Sequence, residues 1–148
     1  MILAGGGMVV GNLFGGYLTD RIGPNKSSIL FLASMMLSLL LVFFFSHNTI
    51  FAFILTFQCG ALSMSLSSPV NLMMLRAAPN SEMMSAAFMQ AAFNIANAAG
   101  AFFGGIPLLY GLWYEYPSLI CLMMTFIGLI ICVIYMLNFH TKPKTNIV

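Results

Sequence analysis

Three side-chain amides, Gln90, Asn94 and Asn97, recur at i, i+4 and i+7 within a long apolar stretch. In a helix that spacing puts them on one face. Each amide offers both donors and acceptors, so the row can hydrogen-bond a polar solute or glue two helices together. Left unpaired in hydrocarbon, such groups are costly. For Asn94 and Asn97 the two roles stand level, while Gln90 lies nearer a helix end and reads as structural. Gln58 is a weaker candidate, as are Ser65 and Ser68, because serine in a membrane helix mostly bonds its own backbone.

A second group is charged. In Gly16-Tyr17-Leu18-Thr19-Asp20-Arg21-Ile22-Gly23-Pro24-Asn25-Lys26, Gly16 allows close packing at a helix end. Asp20 can pair with Arg21 or face the positive N-terminal end of a neighbouring helix. Such a cluster can latch one conformer of a moving protein. Other chemistry finds no support. The carboxylates Asp20, Glu82 and Glu115 all fall at the ends of apolar stretches, whereas proton coupling uses a protonatable group inside the membrane. Cys59, Cys121 and Cys132 lie in apolar runs without metal-ligand spacing and read as small hydrophobes. No catalytic residue, metal ligand or cofactor is expected, and the chain does not read as an enzyme.

The elements that carry these residues follow from composition. Hydrophobic residues make up 61% of the 148 and charged residues 5%, against about 25% charged in a water-soluble domain. So few charges cannot coat a globule, and lipid must be the solvent. The net charge of +2 is too small to argue for nucleic acid. A bilayer core of about 30 Å needs roughly 20 apolar residues in a helix. Five stretches qualify, at residues 1–19, 27–45, 50–75, 82–112 and 117–139. The fold class is therefore all-α integral membrane, with five transmembrane helices. Pro69 and Pro107 fall late in the third and fourth spans and can kink them. Asn80 or Ser81 can cap the fourth span.

Sidedness follows from the cations. Arg21 and Lys26 lie between spans one and two, Arg76 between three and four, and Lys142 and Lys144 after span five. All five share one side, which the positive-inside rule makes cytoplasmic. Trp113, Tyr114 and Tyr116 form an interfacial cluster on the other side. The N-terminus is then outside and the C-terminus inside, with residues 142–148 a cytoplasmic tail. Met1 begins directly in apolar sequence, which reads as the top of a span whose preceding loop is missing.

Small residues recur at four-residue spacing twice, as Gly7, Gly11 and Gly15 in span one and as Ala92, Ala96, Gly100 and Gly104 in span four. Such stripes let helix backbones approach closely in lipid. Packing is the favoured role, and sliding seams are the functional version. The stripe of span one is expected to face lipid unless a helix outside the chain covers it.

The segment from Gly16 to Lys26 resembles the cytoplasmic signature of the major facilitator superfamily, through Gly16, Leu18, Asp20, Arg21, Gly23 and Lys26. Pro24 and Asn25 stand where basic residues are usual, which suits the weaker copy between helices eight and nine. Residues 78–98 with Gly104-Gly105 resemble helix eleven of arabinose-efflux-permease-like drug:proton antiporters. The resemblance implies that residues 1–141 are helices eight to twelve of a twelve-helix transporter, a partial C-terminal bundle. It implies efflux of a small solute of the sugar or drug class, coupled to protons and working by alternating access in a bacterial inner membrane. It also implies a missing N-terminal half that holds the proton site and packs against this chain. The alternative is a small five-helix membrane protein acting as an interaction or assembly subunit.

Overall fold

The computed structural model describes residues 2–45, 47–77, 81–111 and 116–139. The elements are α1 Ile2–Ile22, α2 Pro24–Phe45, α3 Thr49–Ser65, α4 Ser67–Ala77, α5 Glu82–Leu109 and α6 Tyr116–Phe139. α3 and α4 run on as one stretch, Thr49–Ala77, so among the described residues five helices are long and apolar enough to cross a membrane. Helices are what lipid demands, since each backbone N–H and C=O must be satisfied within its own segment.

The joint between α1 and α2 is tighter than the sequence suggests. Residues 20–26 are expected between the spans, yet Arg21 closes α1 and Lys26 lies in the first turn of α2. Gly23 alone separates the helices, at φ +86°, a left-handed conformation that glycine adopts without a Cβ clash. Its N–H donates to the Thr19 carbonyl at 3.0 Å, and its own carbonyl accepts from the Ser27 N–H at 3.1 Å. Pro24 then opens α2 where a missing N–H leaves no bond unmade. The buried hydroxyls of Thr19 and Ser27 donate to the carbonyls of Gly15 at 2.6 Å and Gly23 at 2.7 Å.

The third span is broken at Leu66. Pro69 has no N–H to offer the carbonyl of Ser65, and its ring crowds that carbonyl. Leu66 keeps a helical backbone, φ −71° and ψ −24°, so α4 continues the direction of crossing with one ladder bond lost. Pro107 stays inside α5, two residues from its end at Leu109. Gly111, at φ +69°, follows it. Ser81 occupies the N-cap position of α5 without a side-chain cap bond. Asn80, Leu112, Trp113, Tyr114, Glu115 and residues 140–148 lie outside the described residues.

The largest helix interface joins α1 to α3. Gly7, Gly11 and Gly15 are buried, and a Cβ on each would run into the backbone of Phe57, Ala61 and Ser65 respectively. Each step of four along α1 matches a step of four along α3. The two helices therefore run parallel, as they must if α2 crosses back between them. Gly60 returns the fit, where a Cβ would lie 2.6 Å from the Ala4 carbonyl oxygen. The expectation that this stripe faces lipid is thus corrected. Its partner is α3, because only glycine lets the two backbones touch here. α2 packs on α6, α3, α4 and α1, and among the described residues α5 packs only on α6 and α4.

Candidate functional site

The α1–α2 hairpin positions the charged group. Asp20 and Arg21 are both exposed at the end of α1. Arg21 carries its guanidinium over the Tyr17 ring, 5.1 Å from the centroid, a cation–π arrangement one helical turn long. Among the described residues, Asp20 and Arg21 are not joined by an ion pair within 4.0 Å. Asp20 instead lines a pocket of about 250 Å³ with Gly16 and Thr19 of α1 and Ser68, Asn71, Leu72 and Leu75 of α4. A carboxylate, a hydroxyl and an amide thus meet where α1 ends against α4. Gly16 is not the point of closest approach, since a Cβ there would clear the Ser68 Oγ at 3.9 Å. Its neighbour Gly15 lies closer to a partner, against the Ser65 backbone of α3. Gly23 sets the turn, and Lys26 is exposed on the first turn of α2.

Asn71 escaped sequence reasoning, and Ser68 ranked low in it. The signal was present: Ser68, Asn71, Leu72 and Leu75 fall at i, i+3, i+4 and i+7, one face of a helix. What the sequence lacked was the break at Leu66, which makes that face belong to a short separate helix.

The amide row is intact on α5. Gln90, Asn94 and Asn97 are all exposed. Only Ser85 and Pro107 are buried along this 28-residue helix. Ser85 Oγ is itself buried without a hydrogen-bond partner among the described residues. Gln58 does not join the row. It lines a separate pocket of about 260 Å³ with residues of α1, α2 and α3, and among the described residues α3 makes no packing contact with α5. The α5 stripe also differs from that of α1. Ala96 is exposed, and a Cβ at Gly100 or Gly104 meets nothing within 4 Å. Among the described residues, no group of three His, Cys, Asp or Glu side chains is placed to hold a metal ion.

Comparison with known proteins adds a family to this geometry. The family described as Major Facilitator Superfamily has a model that matches residues 1–147. The chain is 33% identical over 135 residues to "Putative transporter AraJ" of Escherichia coli (strain K12), covering 91% of this chain and 34% of that protein. It is 29% identical over 145 residues to "Inner membrane transport protein YdhP" of the same strain, covering 98% of this chain and 36% of that protein. The chain thus spans about a third of the length of these relatives. No solved structure matches it.

Proposed function

Because the chain belongs to the major facilitator superfamily, a family of multi-pass membrane transporters, we propose that it forms helices eight to twelve of a secondary transporter exporting a small solute. The observation that carries this reading is the open amide face of α5. Gln90, Asn94 and Asn97 are exposed on a helix that crosses the membrane, and amides facing hydrocarbon are unfavourable. A solute-filled cavity between two helical bundles relieves that penalty, and alternating access places a site near the bilayer midplane. Asn94 and Asn97 sit near the middle of α5, at that depth. Asn94 and Asn97 hydrogen-bond the solute, Gln90 holds the helix end, and Gln58 belongs to a helix interface.

The pocket shared by Asp20, Ser68 and Asn71 is the conformational latch. It joins the tip of the α1–α2 hairpin to α4, beyond the break at Leu66. The cations Arg21, Lys26 and Arg76 make this end cytoplasmic, so the N-terminus lies outside. The relatives' names support transport in a bacterial inner membrane. Sugars and drugs are the solute class, protons drive export, and the coupling group lies in a second bundle that packs on the α5 face. Residues 1–141 belong to the bundle and 142–148 to its cytoplasmic tail.

The test is a chimera in which this chain replaces the segment of AraJ that it matches, reconstituted in vesicles with an imposed proton gradient and a panel of sugars and drugs. Saturable flux is expected from the chimera, with Asn94→Leu and Asn97→Leu each reducing it at least tenfold. The 148-residue chain alone is expected to give none. Saturable, solute-specific flux from the chain alone would overturn the reading and favour a self-sufficient oligomer.

A further inference from the structure

We propose that the groove between α2, α4 and α6 binds one acyl chain of an anionic phospholipid, with the headgroup phosphate held at Arg76. The proposal needs only that these helices cross a membrane, and it stands apart from what the protein transports. The groove has a volume of about 360 Å³ and is walled by Leu32 of α2, Val70 and Met73 of α4, and Gly128 and Cys132 of α6. A Cβ at Gly128 meets nothing within 4 Å, so this wall is hollow.

The dimensions match one lipid tail. Along α4 the lining runs from Leu66 to Ala77, about 16 Å at 1.5 Å per residue. That is one leaflet, half of a hydrocarbon core about 30 Å thick. The groove follows the helix axis and so lies parallel to the tails. It ends where α4 and α6 stop and α2 begins, with Ala77 and Tyr135 among its last residues. Tyrosine is a residue of the headgroup level.

Charge then selects the lipid. Arg76 lies three residues after Met73 and one before Ala77, and it is exposed. Among the described residues it has no carboxylate within 4.0 Å. The acids at this end, Asp20 and Glu82, belong to α1 and α5, neither of which lines the groove. A guanidinium takes phosphate through two parallel hydrogen bonds. A zwitterionic lipid fills the apolar part equally well but cancels the phosphate with its own cation. Lys26 at the same end adds to the field that favours an anion.

The experiment places the whole chain in phosphatidylcholine vesicles doped with phosphatidylglycerol that carries a photoactivatable diazirine halfway along one acyl chain. Label is expected on Met73, Cys132 and their neighbours, and not on α1. Phosphatidylcholine bearing the same probe should label the groove roughly fivefold less, the effect of one basic residue near the surface. Arg76→Gln should abolish that preference and keep the labelling position. Gly128→Leu fills the groove and should remove the label, with helix content by circular dichroism and monodisperse elution showing that it folds. Equal labelling by the two lipids, label spread evenly over the helices, or a folded Gly128→Leu variant labelled like the unsubstituted chain would each overturn the proposal.

Discussion

The hydroxyl of Ser65 on α3 donates to the main-chain carbonyl oxygen of Gly11 on α1, at 2.8 Å. It also reaches the carbonyl of Ala61 on its own helix at 2.9 Å, so the single proton is shared between two helices. This contact lies at the lower end of the glycine seam and immediately above the break at Leu66. The parallel pair α1–α3 is thereby tied at the point where α4 departs.

Substituting Ser65 by alanine should weaken the seam only mildly. Interhelical hydrogen bonds in membranes average about 0.6 kcal/mol and reach about 1.7. Unfolding of the chain in mixed detergent micelles reads this directly. A loss well above that range would mean that Ser65 carries more than this bond.

Gly11→Ala should be more damaging than Ser65→Ala. Its new Cβ meets the Ala61 backbone, which has no flexible end to swing away, so the helices must separate. Overpacking of this kind costs about 1–3 kcal/mol. Gly104→Ala, with open space around it, should be neutral or stabilising by up to ~1 kcal/mol through helix propensity. The same micelle titration compares the two, and equal losses would refute the distinction between the stripes.

Pro69→Ala should restore a backbone bond to the Ser65 carbonyl and stiffen the joint between α3 and α4. Amide hydrogen exchange at Leu66–Val70 is expected to slow, with little change at Phe57–Ala61. Unaltered exchange across the joint would show that proline is not what breaks the ladder there.

Sidedness gives a further expectation. In the longer chimera, reporters placed at Asn48 should read outside and those at Asn25 inside, from the cations at Arg21, Lys26 and Arg76. An inside reading at Asn48 would reverse the assignment of every helix end.

Asp20→Asn should lower transport by the chimera several-fold while membrane insertion is unchanged, since Asp20 is exposed and lines the pocket with Ser68 and Asn71. Flux normalised to the amount of inserted protein is the measurement. Unimpaired flux would reduce the hairpin to a connection between helices.

The spans and the spacing of Gln90, Asn94 and Asn97 were legible in the sequence. Each depends on hydropathy or helical periodicity, properties that a short window of residues carries by itself. The joint at Gly23-Pro24 was legible as a turn, but its shortness was not: the charges of Arg21 and Lys26 place them outside the apolar runs, whereas the bond that spans the hairpin, from the Ser27 hydroxyl to the Thr19 hydroxyl at 3.4 Å, forms only once the two helices are side by side.

Which stripe would find a partner lay beyond the sequence. Gly7-Gly11-Gly15 and Ala96-Gly100-Gly104 share one spacing, yet the first is sealed against α3 and the second is open. The meeting of Asp20 with Asn71, and the separation of Gln58 from the α5 amides, are likewise decided by tertiary structure. Spacing along one helix says that a neighbour can come close. Which neighbour does so depends on the matching relief of two surfaces some fifty residues apart, Gly11 against Ala61, and no local pattern in either helix contains that information.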